Sequence, residues 1–169
     1  GGPCSGKTTL LRALQQAGYR VEVETAERAL EEGIAAGHSA RQLRADPVKW
    51  QQQILARDYA LFDGLPEDDL LFTDTSFLET LVFGARAGLE PGPNLDTWLR
   101  NKRYRAVFFL DPLEDYEQSA VRMESAGLAT QISGQVRAAY ERYGYQLIAV
   151  PSGSVAERVA FVLSNIRTD

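Results

Sequence analysis

The sharpest chemical pattern in the chain is its opening, Gly1-Gly2-Pro3-Cys4-Ser5-Gly6-Lys7-Thr8, which has the spacing G-x-x-x-x-G-K-[ST]. Glycines in such a loop let the backbone curl around an anion with its N–H groups pointing inward. A helix starting directly behind the loop adds N–H groups and a positive dipole end. In this pattern Lys7 reaches the β- and γ-phosphates of ATP or another nucleoside triphosphate. Thr8 sets its hydroxyl on Mg²⁺, and Thr9 completes the nucleotide-binding run. A chance glycine-rich turn is the bland alternative. The helical register behind the loop and the α/β pattern downstream weigh against it. Cys4 reads as a small filler rather than a nucleophile, because the sole histidine, His38, is not beside it in sequence.

Other residues gain chemical meaning from where they fall. Asp74 ends a short apolar run, LLFTD, and is expected to hold the Mg²⁺ water shell; the alternative is a cap for the helix that follows. Glu24 ends an earlier strand, where it would accept a substrate hydroxyl proton, grip a ribose, or serve as a plain strand residue. Asp111-Pro112 ends AVFFLD and reads mainly as a structural turn. Arg122, in VRMESAG, could close positive charge over a transferring phosphoryl group, with Arg137 second to it; either could instead belong to a solvated helix face. Gln53 and Arg57 are weaker candidates for an acceptor pocket. Trp50 and Trp98 read as packing residues, and Lys102, Arg103 and Arg105 as a solvated turn.

The elements that position these residues alternate between helix and strand. Residues 6–17 place Leu10, Leu11 and Leu14 on one side of a helix, with Gly18 as the stop. Residues 19–24 (YRVEVE) alternate like a strand, and 25–36 form a helix closed by Gly37. Asp46-Pro47 opens a long helix with Trp50, Ile54, Leu61 and Phe62 on one stripe, ending near Gly64. Residues 70–74 are a strand, and Ser76-x-x-Glu79 opens a helix to about Ala87. Residues 106–111 are a strand, 115–125 and 129–143 are helical, and 145–150 (YQLIAV) are a strand. Ser154 opens the last helix, and 151–154 either flank a nucleotide base or simply turn. Such alternation implies a parallel sheet with helices on both faces, whose ligands sit at the carboxyl ends of the strands.

Length and composition suit this architecture. The 169 residues suffice for one domain, with a lid segment at about 115–135. A net charge of -5 argues against a nucleic-acid partner, and no apolar run is long enough to span a membrane. One cysteine rules out an internal disulfide and suits the cytoplasm. The only methionine is Met123, so a strand is expected to precede the loop. The oligomeric state is not encoded in any pattern.

Accompanying motifs narrow the class. A GTPase would carry N-K-x-D, and the nearest string is Asn101-Lys102-Arg103-Tyr104. A hydrolytic ATPase of the AAA type would carry a second, water-activating acid after Asp74, where this chain has Thr75. A transporter ATPase needs a longer serine-glycine signature than Ser133-Gly134-Gln135. A small P-loop kinase remains.

The chain also resembles a known group. GGPCSGKTT, Glu24-Thr25-Ala26, Asp74, Phe109-Leu110-Asp111-Pro112-Leu113, Arg122-Met123-Glu124, and Tyr140, Gly144-Tyr145, Val150-Pro151 and Glu157-Arg158 look like the P-loop ATPase/kinase-like domain of the bifunctional NAD-biosynthesis regulators. The TRPL translocation defect proteins belong to the same group. The resemblance spans nearly the whole chain. It implies a three-layer α/β fold like the nucleoside and nucleotide kinases, with strand order 2-3-1-4-5, strand one being the expected preceding strand. Some members resemble nicotinamide riboside kinases, and others bind nucleotide without an established small-molecule substrate. The kinase-like members carry Asp-Arg where this chain has Asp74-Thr75. The expectation is therefore an ATP- and Mg²⁺-dependent phosphotransferase acting on a small hydroxyl-bearing acceptor, such as a nucleoside or riboside. The alternative is a regulatory nucleotide-binding module. Its working residues are Lys7, Glu24, Asp74 and Arg122, with Thr8 and Asp74 serving Mg²⁺.

Overall fold

A computed structural model describes residues 1, 5–65, 70–74, 76–90, 92, 95–111 and 126–166. Helix α1 (Lys7–Gln16) starts at Gly6, whose φ of 83° lies in the left-handed region that glycine adopts at little cost. Strand β1 (Arg20–Glu22) leads into α2 (Thr25–Ala35), and the single turn α3 (Ala40–Leu43) follows, capped by Ser39 and Gln42. Helix α4 (Pro47–Asp63) opens on Asp46, whose side chain accepts from the Lys49 N–H, with proline in the first turn. After β2 (Leu71–Thr73), Ser76 caps α5 (Phe77–Ala87) by accepting from the Leu78 and Glu79 N–H groups. Helix α6 (Leu95–Asn101), strand β3 (Val107–Phe109), helix α7 (Ala126–Arg142), strand β4 (Leu147–Ala149) and helix α8 (Val155–Ser164) complete the order. A reciprocal Ser154–Glu157 box opens α8, and the Ser154 donors hold the Glu157 carboxyl below its usual range.

The chain forms two compact units. The first comprises residues 1–18 and 103–169, the second residues 19–102. Each contains one parallel strand pair. In the second unit β1 pairs with β2, Arg20 opposite Leu71 and Glu22 opposite Thr73. In the first, β3 pairs with β4, Val107 opposite Leu147 and Phe109 opposite Ala149.

In the first unit α1 packs on α8, and its Leu10, Leu11 and Leu14 are buried, as are Val107, Phe109, Ile132, Val136 and Val162. Tyr145 packs edge-on against Tyr140, and Arg103 lies over its ring at 4.1 Å. Arg103 also donates to the Tyr143 and Gly144 carbonyls at 2.8 and 3.2 Å, closing the end of α7. The sequence suggested a solvated turn here, and Arg103 is indeed exposed; what the sequence did not show is that its partners lie some forty positions away. In the second unit α2, α3 and α4 meet around Ala29, Trp50 and Ile54. Helices α4 and α5 meet through Phe62, Phe77 and Trp98, whose rings pack edge to face at 4.9–5.7 Å. Both tryptophans are thus packing residues, as expected.

Helices α3 and α6 were not anticipated. α3 is one turn long, and α6 buries only Leu95 and Leu99, too little for a periodic signal. Helix α7 starts at Ala126 rather than Ala129. The expected helix at 115–125, and with it most of the lid segment, lies outside the described residues.

Candidate functional site

The phosphate loop is shaped by contacts inside the first unit. A Cβ on Gly1 would fall 2.0 Å from the Leu110 carbonyl oxygen and 3.1 Å from Ser5 Oγ, so only glycine permits this approach. The loop therefore begins against the carboxyl end of β3. Ser5 is buried beside it. Gly6 stands at the N-cap of α1 and has no side chain with which to cap it. Lys7 Nζ donates to the Gly1 carbonyl at 2.9 Å, so the ammonium bridges the loop from its seventh residue to its first. Thr8 is half-buried and Thr9 exposed in the first turn of α1. A left-handed glycine ahead of a helix N-terminus, with a lysine bonded back to Gly1, suits an anion. Gly2, Pro3 and Cys4 lie outside the described residues.

At the same strand end, Arg137 on α7 lies over the Phe109 ring at 4.2 Å and pairs with Asp111 at 3.0 Å. Asp111 thus holds a guanidinium at the carboxyl end of β3. Arg122, the first choice for a closing charge, lies outside the described residues.

The second unit carries the acids. Asp74 follows β2 directly, is 4% exposed, and its N–H donates to the Glu22 carbonyl at 3.0 Å, extending the ladder by one rung. Glu24 sits two residues beyond β1, half-buried, at the N-cap position of α2. The structure therefore brings these two predicted residues to the same carboxyl edge of one strand pair. The helix after Asp74 is capped by Ser76, so capping does not account for Asp74. Thr75 lies outside the described residues. Arg57 pairs with Glu32 of α2 at 2.6 Å on the surface, and Gln53 is exposed on α4.

Sequence reasoning missed Asp58. It occupies the buried stripe of α4 with Trp50 and Ile54, where Leu61 and Phe62 were expected and are only partly covered. Thr80 Oγ1 donates to Asp58 Oδ2 at 2.6 Å. Burial pushes the Asp58 carboxyl above its usual range, opposed by hydroxyl hydrogen bonds from Thr25 and Thr80 and reinforced by the charge of Glu79. Positions 50, 54 and 58 fall four apart, which was the available signal.

Residues 1–158 match the family described as "AAA domain". The chain belongs to that family. No curated protein and no solved structure matches it. The match makes this a nucleotide-binding P-loop domain of α/β type, in accord with the loop geometry. Domains of this kind generally bind nucleotide with Mg²⁺. Among the described residues no cluster of three or more His, Cys, Asp or Glu could cage a metal. Mg²⁺ is commonly held by one or two protein oxygens plus phosphate and water. Also among the described residues, no helix is long and apolar enough to cross a membrane.

Proposed function

We propose that this domain transfers the γ-phosphoryl group of ATP to a hydroxyl of a small acceptor such as a nucleoside or riboside. The observation that carries the nucleotide half is the cradle: Gly1 pressed on the Leu110 carbonyl, Gly6 left-handed before α1, and Lys7 Nζ bonded across the loop. The transfer half is supported by Glu24 and Asp74 at one carboxyl edge and by the threonine that follows Asp74 in place of a water-activating acid.

In this reading Lys7 and the loop amides hold the β- and γ-phosphates. Thr8 and Asp74 supply oxygens to Mg²⁺, which when bound neutralises the phosphate charge. The acceptor oxygen attacks the γ-phosphorus, the bond to the β–γ bridging oxygen breaks, and ADP departs. Glu24 takes the hydroxyl proton. Arg122, with Arg137 as second candidate, adds positive charge to the transition state. Gln53 and Arg57 contact the acceptor. The strand pairs would then be halves of one 2-3-1-4-5 sheet, in a single kinase-like domain close to the NAD-biosynthesis regulators and the TRPL translocation defect proteins. A cytoplasmic setting without a nucleic-acid partner suits the acidic, single-cysteine composition.

Thr75, standing where kinase-like members carry arginine, favours a second reading: a regulatory module whose nucleotide occupancy is sensed by a partner. An acceptor screen separates the two. The first predicts that ADP release with Mg²⁺-ATP accelerates in the presence of some nucleoside, riboside or other small alcohol. Tight ATP binding with no acceleration by any of them rejects the kinase reading and leaves the regulatory one. Lys7→Ala with wild-type nucleotide affinity would sink both.

A further inference from the structure

Asp58 is a buried acid that the proposed chemistry does not use, and its hydrogen bonds lead to both turns that carry the proposed working acids. It is 7% exposed; Thr80 Oγ1 donates to its carboxyl group at 2.6 Å, and the buried Thr25 hydroxyl is near enough to favour its charged form. Thr25 is the first residue of α2 and directly follows Glu24. Thr80 lies in the first turn of α5; its N–H donates to the Ser76 carbonyl at 3.0 Å, and Ser76 stands two residues after Asp74. Thr25, Asp74, Ser76 and Thr80 are each 4–7% exposed. One carboxyl group on α4 therefore links the strand-to-helix turn after β1 to the one after β2.

We propose that Asp58 is a positioning residue, fixing Glu24 and Asp74 relative to one another by tying Thr25 of one turn and Thr80 of the other to a single carboxyl group. Apolar packing alone would fill this place at lower cost, because desolvating a carboxyl opposes folding and the charge of Glu79 adds to the penalty. Packing is non-directional, however. The Thr80 bond and the neighbouring Thr25 hydroxyl give one carboxyl a directed hold on each turn; Glu24 directly precedes Thr25, and Asp74 lies at the start of the turn that ends in Thr80. The amide bonds around the tie give it leverage: Asp74 N–H to the Glu22 carbonyl, Arg28 N–H to the Glu24 carbonyl, and Leu78 N–H to Ser76 Oγ. Asparagine at position 58 would keep the shape and an oxygen acceptor without the charge. Alanine would remove the tie.

The inference rests on the reading of Glu24 and Asp74 as working acids, and its test has a readout independent of that reading. The full chain carrying Asp58→Ala, Asp58→Asn or Thr80→Val is compared with wild type. The measurements are kcat and KM for acceptor-dependent ADP release, ATP affinity, and residue-resolved amide exchange. Asp58→Ala is expected to lower kcat about ten- to hundred-fold, as displaced catalytic groups do. ATP affinity without Mg²⁺ should hold, since the loop belongs to the other unit. Exchange at Arg28, Asp74 and Leu78 should quicken about ten-fold while that of β3 and β4 is unchanged. Asp58→Asn should restore most of both, and Thr80→Val should loosen the Leu78 side alone. Wild-type kcat and exchange in Asp58→Ala would overturn the proposal. So would equal damage from asparagine and alanine, which would mean that Asp58 acts by its charge. If Asp58→Ala does not fold, Thr80→Val decides by the same exchange pattern. If the wild-type chain phosphorylates no acceptor, the kinase reading fails by itself and exchange alone judges the tie.

Discussion

Adding one methyl group at Gly1 tests whether the loop is shaped as described. In Gly1→Ala the new Cβ would sit 2.0 Å from the Leu110 carbonyl oxygen, 3.0 Å from its carbon and 3.1 Å from Ser5 Oγ. Carbon and oxygen approach comfortably only to about 3.3 Å, so loop and strand end must separate by about 1 Å. The obstacle is backbone, with no flexible side-chain end to swing away. Forcing an extra carbon into such a place costs about 1–3 kcal/mol. The displacement also carries the Gly1 carbonyl, which accepts from Lys7 Nζ at 2.9 Å, so the lysine loses its station along with the loop. If the whole cost falls on the nucleotide-ready loop, ATP affinity drops about 5- to 150-fold at about 1.4 kcal/mol per factor of ten. Titration calorimetry with ATP, alongside thermal unfolding, measures both terms. Gly134→Ala is the control. Gly134 is exposed within α7 and a Cβ there meets nothing within 4 Å, so this variant should gain about 0.5–1 kcal/mol and bind ATP normally. If Gly1→Ala binds and melts like wild type, the close approach is wrong and the cradle argument goes with it.

Three other outcomes follow from the same contacts. Ser154→Ala removes the acceptor of the Glu157 N–H and breaks the box that opens α8; thermal unfolding should report a loss of about 1 kcal/mol. Arg103→Ala removes the bonds to the Tyr143 and Gly144 carbonyls and the stack on Tyr145; chemical denaturation should show a loss of about 1–2 kcal/mol, and Arg103→Lys should recover only part of it. The third concerns Asp58, whose carboxyl is raised when folded, with Glu79 of α5 as its charged neighbour and the hydroxyls of Thr25 on α2 and Thr80 on α5 opposing. Its contribution to stability is complete below the unfolded value and fades as pH rises through the folded one. The Tm of Asp58→Asn should therefore gain on wild type as pH climbs from 4 to 7, and a gap that shrinks over that range would contradict the direction of the shift.

The loop was legible because its chemistry is local: eight consecutive residues fix both the turn and the charge. Asp74 was legible as the acid ending a short apolar run, and Glu24 as the acid ending an alternating one, since either pattern sets its last residue at a strand's carboxyl end. Helix boundaries at Gly18, Gly37 and Gly144 were readable for a similar reason, since each has a φ of 72–93° where other residues strain. What escaped depends on partners distant in sequence. Arg103 looks like one charge among three until Tyr143 and Tyr145 are brought beside it. Asp58 looks like the polar face of α4 until Thr25 and Thr80 arrive, one from upstream and one from downstream. Arg57 was assigned to an acceptor by its place on a long helix, and its observed partner is Glu32 on the neighbouring helix.

The layout of α4 shows how the second unit can hold a buried acid at all. At the N-terminal end Trp50 and Ile54 pack with Ala29, Leu30 and Leu43. At the C-terminal end Tyr59 and Phe62 pack against Trp98, at 4.4 and 5.7 Å between rings, and Phe62 also meets Phe77. Asp58 falls between these two groups along the helix. Each large apolar side chain so covered contributes about 1.5–3 kcal/mol, and edge-to-face aromatic pairs add about 0.5–1.5 kcal/mol apiece. Desolvating one carboxyl costs several kcal/mol before its hydrogen bonds are counted. Apolar packing at both ends of one helix is thus of the size needed to hold a polar group in its middle. Had the apolar residues been spread evenly along α4, the same energy would have stabilised a leucine at position 58 and left the turns after β1 and β2 joined only by their strand pairing. The arrangement trades stability for a directed link between two turns, and a link of that kind is useful where two side chains must hold a fixed separation.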